Sequence, residues 1–148
     1  HREAARARRE QRPISVAIMD LDHFKNVHDE HGHAVGDAAL RIVADTCRAG
    51  VRLTDLVGRY GGEELAFVFP EAGMPMAAEV AERLRSSIAS RPIVHGDASI
   101  TVTASFGVAS SGAPAEADLE ALLQAADRAL YRAKSNGRNR VELACVGD

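Results

Sequence analysis

Carboxylates fall in two groups at places where the chain is predicted to leave a β-strand. Asp20 and Asp22 follow an apolar run, and Glu63 and Glu64 follow the glycine pair of the stretch RYGGEEL. Adjacent glutamates are poor strand formers that repel each other, so the tip of a hairpin has no structural need for them. Grouped carboxylate oxygens suit Mg²⁺, which takes one or two carboxylates and completes its shell with phosphate and water. The alternative is a set of exposed acids at strand ends.

Cations and glycines that suit phosphate lie near both groups of acids. The helix predicted after the first strand offers free backbone N–H groups at its N-terminus, and Lys25 lies in its first turn. Lys134 and Arg138 lie on the last predicted helix and the loop after it, where they could also simply complement a helix C-terminus. Gly61 and Gly62 remove side chains where a substrate could approach the backbone. These residues predict a nucleoside-triphosphate site at a hairpin tip.

The elements that must hold these residues follow from the apolar periodicity. Strands are predicted at Ile14–Met19, Asp55–Tyr60, Glu64–Phe69, Ser99–Val108 and Val141–Ala144. Four helices are predicted. The first begins at an Asp22 N-cap and stops before Gly32, and the second runs from Gly36–Asp37 to Gly50. The third carries Met76, Val80, Leu84 and Ile88, and the fourth runs from Asp118 to Asn136–Gly137. Within Ser99–Val108, apolar residues alternate with small or polar ones, which predicts one buried face and one small polar face.

The order of these elements, β-α-α-β-β-α-β-α-β, predicts an α+β fold. Without the extra helix it contains βαββαβ, a split-βαβ (ferredoxin-like) antiparallel sheet with packed helices. Many functions share that architecture, so the site must decide the function.

The composition indicates one globular domain. The chain has 148 residues, of which 46% are hydrophobic, and its net charge of -3 provides no basic field for a nucleic acid polymer. Cys47 and Cys145 match no zinc or redox spacing and suit a reducing compartment, which predicts a cytoplasmic location, either free or as part of a membrane-anchored protein. No apolar run reaches membrane-spanning length, so no direct membrane contact is expected. Residues 1–12 are predicted to be a linker or helix tail from an upstream region, and residues 13–148 the domain.

Four stretches in order along the chain resemble the signatures of the GGDEF domain family, the diguanylate cyclases. They are DLDHFKNVHDEHGHAVGDAAL, RYGGEEL, SFGVA and ADRALYRAKSNGRNRV, and the resemblance runs from Ile14 to Val141. It implies a fold like that of nucleotide cyclases and polymerase palms, and condensation of two GTP into cyclic di-GMP with release of pyrophosphate. It also implies catalysis by a homodimer of facing half-sites, under the control of an upstream sensor domain.

The same resemblance implies roles for the residues at the hairpin and at the end of the first strand. Asp20, the Leu21 carbonyl and Glu63 match the family's Mg²⁺ ligands, with Mn²⁺ as an alternative ion. Glu63 or Glu64 would help to deprotonate the 3′-hydroxyl of GTP. Arg59 matches an arginine that could stabilise charge in the transition state. Asp22 is interpreted as the cap of the following helix.

Other positions match the family's nucleotide pocket. The triphosphate loop and the phosphate-binding cations are matched by Phe24, Lys25, Lys134 and Arg138. Asp37 matches a carboxylate that accepts hydrogen bonds from guanine. Such a contact rejects adenine, because the wrong base leaves a buried polar group unpaired.

Upstream of the hairpin, the stretch Arg52-Leu53-Thr54-Asp55 resembles the family's inhibitory site, where the product binds. An arginine can fork onto guanine O6 and N7, and its plane can stack on a base. Arg83, on the third predicted helix, resembles the supporting arginine of that site. The resemblance therefore implies feedback inhibition by cyclic di-GMP.

Two positions depart from the family pattern. His28 stands where the family has an asparagine that contacts guanine, and an imidazole cannot reproduce the paired donor and acceptor of an amide. Leu65 replaces the usual Phe and is expected to face inward beside Phe67 and Phe69. The first departure keeps an alternative open, a catalytically weak or inactive domain that binds or senses cyclic di-GMP or GTP. A third hypothesis, a dimerisation output element, is disfavoured by the intact ligand residues.

Overall fold

The computed structural model describes residues 12–111 and 118–144, so all but residue 12 of the predicted linker lies outside the described residues. The strands are β1 (Ile14–Leu21), β2 (Leu56–Gly61), β3 (Glu64–Pro70), β4 (Ile93–His95), β5 (Ala98–Ile100), β6 (Ala104–Ser110) and β7 (Val141–Leu143). The helices are α1 (Phe24–His31), α2 (His33–Ala49), α3 (Met74–Ser90) and α4 (Leu119–Ser135). None of the described helices is long and apolar enough to cross a membrane.

The main sheet has the strand order β2-β3-β1-β6-β7. β1 lies between β3 and β6 and is antiparallel to both, and β2 and β3 form an antiparallel hairpin. This is the predicted split-βαβ arrangement, so the α+β fold class is confirmed. β7 adds an edge strand parallel to β6, because α4 joins the two strands as a crossover.

β1 is the centre of the fold because both of its faces are covered. All 8 of its residues are buried. Ala17 and Met19 belong to a cluster with buried residues of α2 and α3, whereas Val16 and Ile18 pack with residues of α4. A continuous apolar run is what a strand buried on both faces requires. The central position gives Asp20, near the end of β1, a neighbouring strand on each side.

The prediction of one long strand over residues 99–108 is wrong. β5 pairs with β4 in a separate small sheet, and β6 belongs to the main sheet. The small-residue face of β6 is also not exposed, since Ser105 and Gly107 are buried. A Cβ on Gly107 would lie 2.0 Å from the Ala126 carbonyl oxygen and 2.3 Å from the Leu130 nitrogen. The small residues therefore let the backbone of α4 approach the sheet.

Two helix starts differ from the predictions. The N-cap of α1 is His23, which has a φ of 55° and makes no side-chain capping bond. The predicted Asp22 cap is wrong, because the Asp22 carboxylate is bonded to other elements. α2 begins at His33, before the predicted start at Gly36–Asp37, and ends at the predicted Gly50.

The remaining helix predictions are confirmed. α3 buries Leu84 and Ile88 together with Ala77 and Ala81, and leaves Met76 46% exposed. Asp118 caps α4, because its carboxylate accepts from two N–H groups of the first turn. Leu65 is fully buried, as expected.

Candidate active site

Antiparallel pairing brings both groups of acids to one end of the main sheet. Asp20 lies near the end of β1 and pairs with Glu64 at the start of β3. On its other side Asp20 pairs with Ser105 of β6. Glu63 lies in the turn before β3, directly after Gly62, whose φ of 31° is in the region that favours glycine. Residues distant in the sequence thereby form one carboxylate-lined edge.

Burial and like charges disfavour the ionised acids at this edge. Asp20 is only 5% exposed, and this burial raises the pKa of its carboxyl, while Lys134 opposes the rise and Glu63 adds to it. Burial also raises the pKa of Glu64, and the charges of Asp20 and Asp127 raise it further. Because an opposite charge would relieve both effects, the edge favours a bound cation.

A lysine side chain reaches this edge from the last helix. The Lys134 ammonium, in the last turn of α4, donates to Oδ2 of Asp20. Oδ1 of Asp20 is buried and has no hydrogen-bond partner among the described residues. The Lys134 side chain is 32% exposed, so a ligand can also reach its ammonium group.

The residues at this edge fit a divalent cation with oxygen ligands. Asp20 offers the unbonded Oδ1, Leu21 a main-chain carbonyl at the end of β1, and Glu63 a half-buried carboxylate. Within residues 12–111 and 118–144, no three His, Cys, Asp or Glu side chains form a metal-binding group on their own. Mg²⁺ does not need such a group, because it keeps several waters and takes substrate phosphates.

A groove of about 480 Å³ opens between α2 and the hairpin. It is lined by Asp37, Leu40, Arg41, Ala44, Arg48 and Arg59. The Arg59 guanidinium donates to the Gly62 carbonyl, so it folds back over the turn that carries Glu63. The groove thus combines three kinds of group that suit a nucleotide. A carboxylate can accept hydrogen bonds from a base, apolar side chains can pack against its flat ring, and guanidinium groups can bind phosphate.

The two residues predicted to contact guanine lie together where α1 meets α2. Nε2 of His28 is 3.8 Å from Oδ1 of Asp37, and it is buried without a hydrogen-bond partner among the described residues. The His28 ring contacts the rings of Phe24 and His33, each with a centroid separation of 4.6 Å. It also covers Gly36, where a Cβ would lie 2.0 Å from Cδ2 of His28. Packing therefore holds the imidazole, whereas the Asp37 side chain is 77% exposed.

Comparison with known proteins agrees with this geometry. The family model described as diguanylate cyclase, GGDEF domain, matches residues 1–140. The chain belongs to the GGDEF family. Diguanylate cyclase DgcP of Pseudomonas aeruginosa is 38% identical over 143 residues, which are 96% of this chain and 21% of that protein. Diguanylate cyclase A of Treponema denticola is 40% identical over 131 residues, which are 88% of this chain and 35% of that protein.

The fold is also that of GGDEF domains of known structure. The GGDEF domain of DgcB from Caulobacter crescentus, solved in complex with c-di-GMP, matches with a TM-score of 0.89 and 34% identity. The match covers 97% of this chain and 84% of that chain. The resemblance inferred from the four sequence stretches is therefore confirmed for the domain as a whole.

The remaining predicted phosphate contacts lie at the starts and ends of helices. Phe24 is buried at the start of α1, and Lys25 beside it is exposed. Arg138 follows α4 with a left-handed φ of 64°, and its N–H donates to the Ala133 carbonyl at 2.9 Å. The backbone of this GGDEF domain thus turns sharply just beyond Lys134.

The predicted inhibitory residues also come together in this GGDEF domain. Arg52, Asp55 and Arg83 line a groove of about 210 Å³ beside α3. The Asp55 carboxylate accepts from Nε and Nη2 of Arg52 at 3.1 and 2.9 Å, and Arg52 Nη2 also donates to the Pro70 carbonyl at 2.7 Å. The Arg83 guanidinium donates to the Gly50 carbonyl. Hydrogen bonds within the domain therefore hold both guanidinium groups at the groove.

Sequence reasoning missed two features around the acids. Asp127 of α4 lies close enough to raise the pKa of the Glu64 carboxyl. Asp127 falls inside the stretch ADRALYRAKSNGRNRV, but sequence reasoning assigned it no role. Asp22 accepts hydrogen bonds from Thr103, Ser105 and the N–H of Asn139. Thr103 and Ser105 lie 81 and 83 residues beyond Asp22, so no local signal could have linked them to it.

Proposed function

We propose that this GGDEF domain is a diguanylate cyclase that condenses two GTP into cyclic di-GMP with release of pyrophosphate. The observation that carries the proposal is the juxtaposition of Asp20, Glu64 and Lys134 at the end of the sheet. The names of the relatives at 38% and 40% identity support the activity, and the c-di-GMP bound to DgcB supports the product class.

Asp20, the Leu21 carbonyl and Glu63 would hold Mg²⁺, or Mn²⁺ in its place. When bound, the ion supplies charge stabilisation for the transferring phosphoryl group. The unbonded Oδ1 of Asp20 supports this assignment. Glu64 would accept the proton of the 3′-hydroxyl, because burial and neighbouring acids raise its pKa and so increase its basicity.

Lys25, Lys134 and Arg138 would neutralise the triphosphate, and Phe24 would support the loop that carries it. Gly61 and Gly62 would let the nucleotide approach the hairpin backbone. Arg59, which covers the turn, would stabilise the negative charge that develops at the phosphate in the transition state.

Asp37 would accept hydrogen bonds from guanine in the groove beside α2. Nε2 of His28 lies 3.8 Å from the same carboxylate. A base without donors at the matching positions would leave Asp37 without those bonds, so the groove would favour GTP over ATP.

The reaction requires two copies of the domain, because one GTP held in one half-site cannot close the cyclic product. Each 3′-hydroxyl would attack the α-phosphate held by the facing copy. The rate is therefore expected to rise faster than linearly with protein concentration where the homodimer is scarce. An upstream sensor region would control how the two copies meet.

Arg52, Asp55 and Arg83 would bind cyclic di-GMP as a feedback inhibitor. The support is geometric, since the two arginines and Asp55 line one groove that also has the apolar side chains of Met76 and Val80. The Asp55 carboxylate and the Pro70 carbonyl hold the Arg52 guanidinium, which lowers the cost of ordering it on binding.

The test is GTP turnover at high protein concentration with Mg²⁺, with the products separated by chromatography. Cyclic di-GMP is expected from the unaltered chain, and Glu63→Ala should abolish it because a metal ligand is lost. Glu120→Ala, which alters an exposed glutamate of α4, should retain the activity.

A second candidate, a receptor for cyclic di-GMP or GTP, is favoured by His28. If the unaltered chain forms no product but binds cyclic di-GMP, and Arg83→Ala loses that binding, the cyclase proposal fails and the receptor remains.

A further inference from the structure

Two neighbouring aspartates at the end of β1 have opposite surroundings. Asp20 and Asp22 are each 5% exposed. Oδ1 of Asp20 has no hydrogen-bond partner among the described residues, whereas both oxygens of Asp22 accept hydrogen bonds. The donors are the Thr103 hydroxyl at 2.6 Å, the Ser105 hydroxyl at 2.7 Å and the Asn139 N–H at 2.9 Å.

The donors to Asp22 are all neutral, and they occupy both of its oxygens. Oδ1 accepts from Ser105, and Oδ2 accepts from Thr103 and from Asn139. A carboxylate engaged in this way satisfies its burial without a cation. Asp22 is therefore not placed to share a metal with Asp20. Its hydrogen bonds instead connect separate segments of the chain.

Asp22 joins three parts of the chain, and two of them carry proposed site residues. Its own N–H donates to the Thr103 carbonyl at 2.9 Å, which ties the end of β1 to the residues before β6. Its carboxylate ties both to the loop after α4, which carries Arg138. Arg138 and Asn139 have φ values of 64° and 48°. This left-handed conformation costs non-glycine residues energy, and it persists only where the surrounding contacts impose it.

Asn139 is held from a second side as well. Its side-chain oxygen accepts from Nη1 of Arg85 at 2.7 Å. Arg85 is itself fixed by Glu82, one helical turn earlier on α3, through two bonds of 2.8 and 2.6 Å. The backbone of Asn139 is thus bonded to β1 and its side chain to α3, which determines the path of the loop.

We propose that Asp22 is a positioning residue, which holds the loop that carries Arg138 in register with Asp20 and the Leu21 carbonyl. It holds the loop through hydrogen bonds, which an uncharged side chain of the same shape can also make. The inference rests on the proposed function for the roles of Asp20 and Arg138. The claim that Asp22 controls the loop after α4 does not depend on the proposed function, because it follows from the hydrogen bond to Asn139.

Asp22→Asn and Asp22→Ala separate this role from that of a metal ligand. An asparagine oxygen in place of Oδ2 still accepts from Thr103 and Asn139, and its amide can donate to the Ser105 hydroxyl, which can accept. Asp22→Asn should therefore retain most of kcat. Asp22→Ala should lower kcat by about a hundredfold with a smaller change in KM, because misplaced groups impair the reaction more than binding.

Two further measurements compare the same variants and do not depend on catalytic activity. Hydrogen–deuterium exchange over residues 136–140 should accelerate about tenfold in Asp22→Ala and stay slow in Asp22→Asn. Mn²⁺ affinity, measured by titration, should fall about tenfold in Asp22→Ala and stay near the wild-type value in Asp22→Asn, because only the alanine frees the end of β1 that carries the proposed ligands. Asp97→Ala, in the exposed turn between β4 and β5, is the matched control and should change neither quantity.

The proposal is overturned if Asp22→Asn is as defective as Asp22→Ala, since the charge would then be essential. Unchanged kcat and unchanged exchange in Asp22→Ala would also overturn it. Should Asp22→Ala fail to fold, Thr103→Val and Ser105→Ala each remove one donor and should give smaller changes in the same direction. A wild-type chain that makes no cyclic di-GMP contradicts the proposed function, while the exchange data still decide the role of Asp22.

Discussion

At the scale of single residues, the burial that prepares the acids also costs stability. Asp20 and Glu64 have raised pKa values because each is partly desolvated and close to other carboxylates. The folded state therefore binds their protons more tightly than the unfolded chain does. The contribution of these two acids to the free energy of unfolding must therefore fall as pH rises from below the ordinary carboxyl range through the raised pKa values.

Glu64→Gln should stabilise the metal-free protein at neutral pH. The substitution removes a charge whose ionisation the fold opposes, and Tm at pH 7.5 with EDTA should rise by about a few degrees. The gain should vanish below the ordinary glutamate pKa of 4.5, where Glu64 is protonated in both states. Thermal unfolding followed by circular dichroism across this pH range measures it.

The matched control is Glu79→Gln, which removes an exposed glutamate of α3 and should leave Tm nearly unchanged. A lower Tm for Glu64→Gln at pH 7.5, or a difference that grows in acid, would contradict the account. Adding Mg²⁺ should narrow the difference, because a bound cation favours the ionised wild-type acid.

His28→Asn should strengthen guanine nucleotide binding. The imidazole Nε2 offers one donor or one acceptor beside Asp37, whereas an amide offers both. One added hydrogen bond of about 1 kcal/mol corresponds to about fivefold in Kd. Calorimetry with non-hydrolysable analogues of GTP and ATP measures it, with His31→Asn as an exposed control. Equal or weaker binding of the GTP analogue would show that His28 does not limit the pocket.

At the scale of elements, the packing of α4 on the sheet determines where Lys134 and the following loop lie. α4 closes over β6 because Gly107 has no side chain. It then delivers Lys134 to Asp20 at the end of the neighbouring strand. The contact between this helix and the sheet is therefore a requirement of the site as well as of the core.

Gly107→Ala should destabilise the domain strongly. The added Cβ would meet backbone atoms of Ala126 and Leu130 at 2.0 and 2.3 Å, and helix backbone cannot move aside as a side chain can. The expected cost is about 3 kcal/mol in the free energy of unfolding, measured by urea denaturation. Gly58→Ala is the control, since no atom lies within 4 Å of its added Cβ. A cost below about 1 kcal/mol for Gly107→Ala would mean that α4 can shift without loss.

At the scale of the whole molecule, the carboxylate-lined edge and the groove lined by Arg52, Asp55 and Arg83 are separate parts of the domain. β2 and β3 lead from the groove near Asp55 to the hairpin that carries Glu63. Asp55 is almost fully buried, with a side chain 1% exposed, and is paired with Arg52. Removing Arg52 would therefore leave a buried charge unpaired, so Arg83 is the cleaner residue with which to test inhibition.

Arg83→Ala should relieve product inhibition without lowering the uninhibited rate. The variant removes an exposed guanidinium from the groove, which contains none of the acids at the end of the sheet. The one hydrogen bond lost among the described residues is to the Gly50 carbonyl. The concentration of cyclic di-GMP that halves the initial rate should rise by at least about tenfold, as for loss of one charged contact. Arg91→Ala, an exposed arginine just after α3, is the control. An unchanged inhibition curve would exclude Arg83 from the inhibitory site.

Most of the elements, and the acids Asp20, Glu63 and Glu64, could be predicted from the sequence. Local patterns gave the apolar β1, the glycine hairpin and the Asp118 cap, and the ordered motifs gave the family. These features depend on neighbouring residues, whose spacing is visible along the chain. The alternation in residues 99–108 is also a local pattern. It could not reveal that α4 covers the face of β6 that carries Ser105 and Gly107.

How the site residues meet depends on contacts between distant parts of the chain. Lys134 reaches Asp20 across 114 residues, and Asp22 binds groups 81 to 117 residues away. Its carboxylate therefore joins the end of β1 to the loop after α4, where sequence reasoning expected a helix cap. The physical reason is that a buried carboxylate takes whichever donors the packed core brings to it, and packing joins elements whose separation in the sequence carries no trace of the contact.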